Sequence, residues 1–341
     1  MLRPQTFVGA ALAVICGFFF LQYYRISGLD QLKIKSRALP PELRSQLRGV
    51  ESHAARSAVE HPGDLIRIAT FNIQVFGEEK SRHNEVMEIL ARIIRNFDIV
   101  AIQEIRTQNE NFLPEFVKRI NAQGAHYDFA IGPRLGDTSS KEQYAFVFDR
   151  ESVEINRSQI YTMEDPENWM HREPLVAQFR VRGPHIDDAF TFTLVNVHTD
   201  PSPQSLTREI NVLDNVYRAV RNDGLDEDDV ILLGDFNVDD RHFGELAEIP
   251  GMVCVISGVP TNTARTAQYD NIVFNDVPTT EYSGRHGVFD FREEFQLTKE
   301  QAARVSDHLP VWAEFSIFEQ NAQSRLADDR GAPARRTRRA R

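Results

Sequence analysis

The chain has 341 residues, 41% hydrophobic and 10% aromatic, enough for one sizeable core and too apolar for a disordered or fibrous protein. Its formal charge of -11 is unevenly spread: residues 65–319 hold 24 basic and 43 acidic side chains, a surplus of 19 negative charges, which argues against a nucleic-acid scaffold and leaves phosphate binding to local cations and a few arginines. The two cysteines, Cys16 and Cys254, provide neither a thiolate metal site nor a disulfide framework, so any metal is held by oxygen or imidazole.

From Pro4 to Tyr24 no charge occurs, and those 21 positions would cover roughly 31 Å as a helix, enough for a hydrocarbon core. Tyr23, Tyr24 and Arg25 resemble an interfacial belt, and no small-x-small cleavage site follows the apolar run. Residues 1–25 are therefore expected to be a transmembrane anchor, or an uncleaved signal, making the protein single-pass. Either side of the membrane fits the folded domain: Arg25, Lys33, Lys35 and Arg37 after the span favour a cytoplasmic domain, while an anchored external domain is a common arrangement. Residues 26–64 read as a polar stalk, 65–319 as the folded region, and 320–341 as a disordered Arg-rich tail suited to anionic lipid, nucleic acid or mere solubility.

Within the folded region LIRIATFNIQVF (65–76) has strand composition, EVMEILARIIRNF (85–97) has helical spacing, and DIVAIQEI reads as the next strand. YAFVFDR, LVAQFRV and FTFTLVNVHT are further strands. A helix follows, with Leu206, Ile210, Leu213, Val216, Tyr217 and Val220 on one face. Strands VILLGDFN, QYDNIVF (268–274) and LPVWAEFSIF (309–318) complete the set. Many strands, few helices and no glycine-rich phosphate loop indicate a layered α/β domain with mixed or antiparallel sheets and helices on the outer faces.

The apolar runs share one oddity: they end in polar groups. TFN ends in Asn72, AIQE in Glu104, VNVH in His198, LLGD in Asp235 with Asn237 just beyond, and QYD in Asp270, while Asp307 and His308 precede a strand. Any one alone reads equally as a cap or a turn. Together, carboxylates and carboxamides without cysteine favour Mg²⁺, Mn²⁺ or Ca²⁺ over zinc, and imidazoles beside carboxylates supply oriented acids and bases. Such a set suits attack of water on a phosphate ester.

IATFNIQVFGE, IVAIQEIR, SSKEQYAFVFD, HREPLVAQF, VNVHTDP, VILLGDFNVD, PTNTARTAQYDNIVF and SDHLPVWAEF, in that order across residues 66–315, resemble the endonuclease/exonuclease/phosphatase superfamily, and within it the deoxyribonuclease I-like nucleases. The resemblance implies a four-layer α/β sandwich of two packed mixed or antiparallel sheets, with the site at their upper edge. It implies divalent-metal-dependent cleavage of nucleic acid, with DNA the expected substrate, and no protein partner. By position, Glu104 resembles the main metal ligand, beside Asn72 and Asp307, while Asp235 and Asn237 resemble the second part of the metal and phosphate site. His308, oriented by Asp270, would act as base, and His198, oriented by Glu142, as acid. Arg172, held by Glu173, would grip a neighbouring phosphate, Arg106 would reach the minor groove, and Thr261 and Thr263 would touch backbone phosphates.

Departures lie on the substrate side. Ser140 stands where the nuclease has a sugar-packing tyrosine, Asp137 and Gln74 replace arginines, and the disulfide beyond GDFN has no counterpart. Fewer basic contacts weaken the grip on duplex DNA. A membrane-associated phosphodiesterase or phosphatase acting on a lipid or small phosphoester is therefore the competing reading.

Overall fold

The computed structural model describes residues 63–138, 141–225 and 227–320. The expected anchor at 1–25, the stalk up to 62, Ser140 and the tail beyond Gln320 lie outside the described residues. Among the described residues no helix is long and apolar enough to cross a membrane.

Two six-stranded sheets form the body. In spatial order the first holds β11 (Tyr282–Val288), β12 (Val311–Ser316), β1 (Leu65–Phe76), β2 (Ile99–Ile105), β4 (Gln143–Asp149) and β3 (Tyr127–Ile131). The second holds β5 (Val153–Thr162), β6 (Leu175–Val181), β7 (Thr191–His198), β8 (Val230–Asp235), β10 (Asp270–Asn275) and β9 (Met252–Cys254). Only β1–β2 and β7–β8 pair parallel, one pair in each sheet; the other pairs are antiparallel.

Strand periodicity assigns each residue a layer. On β1, Ile66 and Ile68 face the second sheet, while Ala69, Phe71 and Ile73 face helices. Those helices are α2 (Asn84–Ile94) and α3 (Phe112–Ile120), joined by the short α6 (Phe291–Glu294) and α7 (Lys299–Val305); α1 (Glu78–Ser81) precedes α2. Across the molecule, Val230 and Leu232 of β8 pack under α4 (Pro203–Arg221) and α5 (Gly244–Ala247), whereas Ile231 and Leu233 enter the core between the sheets. The result is a helix, sheet, sheet, helix sandwich, the four-layer architecture expected. Helix α2 stops three residues short of its expected end because Asn96 Nδ2 donates to the carbonyls of Arg92 and Ile93, closing the last turn.

The same parity leads to the site. Continuing along the inner face, β1 presents Thr70 and then Asn72, β2 Gln103, β7 Asn196 and then His198, β8 Asp235, and β10 Asp270. The apolar core thus gives way to buried amides that bridge the sheets: Gln103 Nε2 donates to Asn196 Oδ1 at 2.7 Å, and Asn196 Nδ2 to the carbonyls of Ile102 and Ala145 at 3.2 Å each. Register aligns His198 and Asp270 with Asp235 on its two sides. Gly234 allows this alignment, since a Cβ there would lie 1.8 Å from the Val197 carbonyl oxygen. Gly234→Ala is accordingly expected to cost at least ~3 kcal/mol, read as a lowered urea midpoint with the far-ultraviolet spectrum as a check on folding.

Candidate active site

Asp235, at the end of β8 and buried, is the hub. Its Oδ2 accepts from Asn72 Nδ2 at 2.9 Å and lies 3.5 Å from His198 Nε2 and 3.6 Å from His308 Nε2. Its Oδ1 accepts the backbone N–H of Asn237 at 3.0 Å. Asn237 has φ 53°, which turns the chain back over Asp235, and its Nδ2 donates to the Thr199 carbonyl at 2.9 Å.

Each imidazole is fixed from behind by a buried carboxylate. His198 Nδ1 is 2.6 Å from Glu142 Oε1, and His308 Nδ1 is 2.9 Å from Asp270 Oδ2. Both rings therefore aim Nε2 at one oxygen of Asp235. Burial opposes ionisation of Glu142, yet His198, Arg172 and Arg106 together pull it down to about 2. Burial likewise opposes charging His198, but Glu142 overrides it and raises the imidazole above its ordinary value. At His308 burial is overcome by Asp270, Asp235 and Asp307, raising it to about 11. Asp270 is itself pushed up by burial, so one proton is held within the pair. With two further carboxylates facing it, the imidazole is the side that keeps that proton.

Glu104 sits at an irregularity in the β1–β2 and β2–β4 ladders, with φ 63°. Strict alternation would point its side chain at the helices; the bulge turns it into the site. Glu104 Oε1 is 3.4 Å from Asn72 Nδ2, and Oε2 accepts the N–H of Val75 at 2.8 Å. Asn72 Oδ1 is buried and has no hydrogen-bond partner. An orphaned carboxamide oxygen beside a carboxylate fits a hard divalent cation, which takes oxygen ligands. Asp235, by contrast, has both oxygens engaged by protein donors. Asp307 is half exposed, accepts from Gln74 Nε2 at 2.8 Å and lies 3.8 Å from His308 Nε2. Gln74, which replaces the arginine of the family pattern, thus holds Asp307.

Three expected substrate contacts turn inward. Arg172 is buried, donating Nε to the His198 carbonyl and Nη2 to the Thr199 carbonyl at 3.1 Å each, and its ion-pair partner is Glu142 at 3.5 Å, not Glu173. Arg106 Nη2 spans Glu104 at 3.2 Å and Glu142 at 3.4 Å, tying the two halves of the site together. Thr261 is wholly buried, which removes it from contact with a backbone phosphate. Its hydroxyl donates to Asp270 Oδ2 at 2.7 Å and accepts the N–H groups of Tyr269 and Asp270. Thr263, partly exposed, holds the Asp307 carbonyl through its N–H at 2.8 Å and its hydroxyl at 3.2 Å. Thr261→Val leaves these buried groups unmet, an expected loss of about 1–3 kcal/mol. The urea midpoint and kcat should both fall with KM steady; a raised KM at unchanged stability would restore the phosphate contact.

Several positioning groups escaped the sequence reading. The Tyr144 hydroxyl accepts the His198 N–H at 3.0 Å, and Ser306 Oγ donates to the Asn72 carbonyl at 2.8 Å while accepting the His308 N–H at 3.1 Å. Lys80 Nζ donates to the Val305 carbonyl at 2.7 Å; burial lowers its ammonium to about 8, against the pull of Asp307 and Glu104. Tyr144 and Ser306 look like ordinary strand and loop residues, and nothing in their spacing marks them. Gln103 and Asn196 did carry a signal: each is a polar residue at an inner-face position of an otherwise apolar strand.

The family model of the endonuclease/exonuclease/phosphatase family matches residues 69–308, which spans every residue of this site. The chain belongs to that family. It is a hydrolase acting on phosphodiester bonds. Among curated proteins, the chain is 30% identical over 268 residues to deoxyribonuclease gamma of Homo sapiens, covering 74% of this chain and 86% of the relative. It is 31% identical over 273 residues to deoxyribonuclease-1-like 1 of Chlorocebus aethiops, covering 76% and 88%. Among solved structures, an endonuclease/exonuclease/phosphatase family protein from Bacteroides thetaiotaomicron superposes with a TM-score of 0.51 at 16% identity, covering 74% of this chain and 98% of that one. A mannosyl-6-phosphatase of the same organism superposes with 0.50 at 13% identity, covering 73% and 98%. These last two show the shared fold alone, and their names alone show that the fold does not decide the substrate.

Proposed function

We propose that the protein is a divalent-metal-dependent endonuclease acting on DNA through two carboxylate-oriented imidazoles. The observation that carries this reading is the convergence of His198 Nε2 and His308 Nε2 on one oxygen of Asp235, 3.5 and 3.6 Å away, beside Asn72 and Glu104. Bound by Asn72 Oδ1 and Glu104, with Asp307 completing the set, Mg²⁺ would polarise a non-bridging phosphate oxygen; Mn²⁺ and Ca²⁺ suit the same donors.

The remaining work falls to the chain itself. With Nδ1 fixed on Asp270, His308 would first release its resting Nε2 proton to solvent and then present Nε2 to take a proton from an in-line water. With Nδ1 fixed on Glu142, His198 presents Nε2 to protonate the departing oxygen. Asp235 sets the field felt by both rings, and the second amide hydrogen of Asn237 would hydrogen-bond the scissile phosphate. The deoxyribonuclease relatives support DNA as substrate. The uncharged stretch from Pro4 to Tyr24 supports attachment of this hydrolase to a membrane, which protease accessibility in sealed vesicles would test.

A second reading rests on the groove. Asp137, expected from the resemblance to be an arginine, is 3.5 Å from His171 Nδ1 and accepts from Asn168, so it ties a loop together and adds negative charge where duplex DNA needs positive. That favours a lipid or small phosphoester. Hydrolysis by the full chain of plasmid, single-stranded DNA, RNA and inositol or phospholipid phosphodiesters tests the choice. Internal nicking of DNA supports the nuclease; turnover of lipid esters alone supports the second reading.

A further inference from the structure

At the end of the sandwich opposite the active site lies a second set of carboxylates that the phosphodiesterase chemistry does not use. Asp229 immediately precedes β8, whose far end is Asp235, about 20 Å away at ~3.3 Å per residue. Glu281 immediately precedes β11, and Glu319 follows β12, so the three belong to both sheets. One oxygen from each lies within 4.8 Å of the other two. Glu227 and Asp228 form an overlapping group with Asp229.

Two observations go beyond acidity. Asp229 and Glu281 are each 1% exposed, and Asp229 Oδ1 and Glu281 Oε2 are buried with no hydrogen-bond partner. The hydroxyl of Thr279, also 1% exposed, lies close enough to Asp229 to pull its carboxyl down in part, but does not meet it at hydrogen-bond geometry. Among the described residues, no Arg, Lys or His forms an ion pair with Asp229, Glu281 or Glu319; the one arginine at the cluster, Arg221, pairs with Asp228 at its outer edge. The direct hydrogen bonds to the three leave those two oxygens unmet: the N–H of Thr191 donates to Glu319 and the Gln320 N–H to Glu281 Oε1, while the Thr280 hydroxyl, 3.3 Å from that oxygen, has the Gln320 carbonyl as its nearer acceptor at 2.5 Å. Buried carboxylate oxygens without donors are costly unless a cation meets them.

We propose that Asp229, Glu281 and Glu319 form a structural site for a hard divalent cation of the calcium class, clamping the two sheets together at the end remote from catalysis. Oxygens bound to one Ca²⁺ at ~2.4 Å can stand no more than ~4.8 Å apart, so three oxygens within 4.8 Å of one another can share an ion, and the all-oxygen donor set excludes a thiophilic metal. Ca²⁺ is favoured over Mg²⁺ because Mg²⁺ keeps several waters, for which a cluster with two members buried leaves little room. Without a cation the Asp229 carboxyl is pushed up by burial and by Glu281 to about 9, as expected for charges with nothing to balance them.

The test is equilibrium Ca²⁺ binding to the full chain, with Glu104→Gln and the Asp229→Asn, Glu281→Gln double variant measured beside the wild type. The wild type should bind one more equivalent than the double variant, and Glu104→Gln should retain that equivalent, so the result is independent of the active site. In EDTA the double variant should melt at or above the wild type, because its buried charges are gone; in Ca²⁺ the order should reverse. Equal stoichiometry in wild type and double variant would overturn the proposal. If the double variant fails to fold, Glu319→Gln at the rim should weaken that equivalent at least about tenfold, and unchanged affinity would overturn the proposal equally.

Discussion

His308→Ala is expected to lower kcat for phosphodiester hydrolysis by about 10²- to 10⁴-fold with little change in KM. The ring it removes is held at 2.9 Å by Asp270 and aimed at Asp235, so the loss is of proton transfer and not of substrate grip. His198→Ala should show a loss of similar order on DNA. The two separate on an ester with a p-nitrophenolate leaving group, which needs little protonation: His198→Ala should recover most of its activity there and His308→Ala should not. Recovery by His308→Ala instead would exchange the base and acid roles, and full kcat in both variants would remove the imidazoles from the reaction.

Asp235→Asn is the second large effect. One oxygen of this carboxylate faces Asn72 and both imidazoles, and the other receives the Asn237 N–H, so an amide of the same shape removes the charge while keeping the volume. Its negative charge contributes to the raised pKa of both His198 and His308. In EDTA both imidazoles should therefore titrate lower in the variant, followed by ring-proton NMR, and kcat should fall on the order of 10³-fold. A variant that lost activity while leaving both titrations in place would make Asp235 a packing residue only.

The histidine and carboxylate half of the candidate site was legible because strands alternate. Each apolar run ending in Asn, His or Asp had to place that group on one face at one edge, and register then set His198, Asp235 and Asp270 side by side. Glu104 was legible as a motif residue but not as a direction, since alternation alone points it outward and only the bulge at φ 63° corrects it. Four strands escaped for related reasons. Strand β5 reads VEINRSQIYT with an exposed middle, and β11 reads YSGRHGV, largely exposed; both are edges of their sheets and lack the apolar alternation that marks a buried strand. Strands β3 and β9, five and three residues at the other edges of the two sheets, are too short to announce themselves.

Substrate contacts were the least legible part. Thr261 and Arg172 occupy the right places in their motifs, yet their polar atoms are directed into the protein, toward Asp270 and toward Glu142 and the His198 carbonyl. A motif records that a residue type is needed, and a buried positioning role meets that need as well as a surface contact does. The reading of a polar residue as a ligand contact requires its burial, which spacing along the chain does not contain.

The central claim is cation-assisted hydrolysis of phosphodiesters at the site built on Asn72, Glu104, His198, Asp235 and His308. Its most direct test is the rate of nicking of supercoiled plasmid by the full chain in Mg²⁺ and in EDTA, with Glu104→Gln and His308→Ala alongside. Nicking by the wild type in Mg²⁺, its loss in EDTA and its collapse in both variants are the expected results. Nicking that persists in EDTA, or at wild-type rate in both variants, would contradict it.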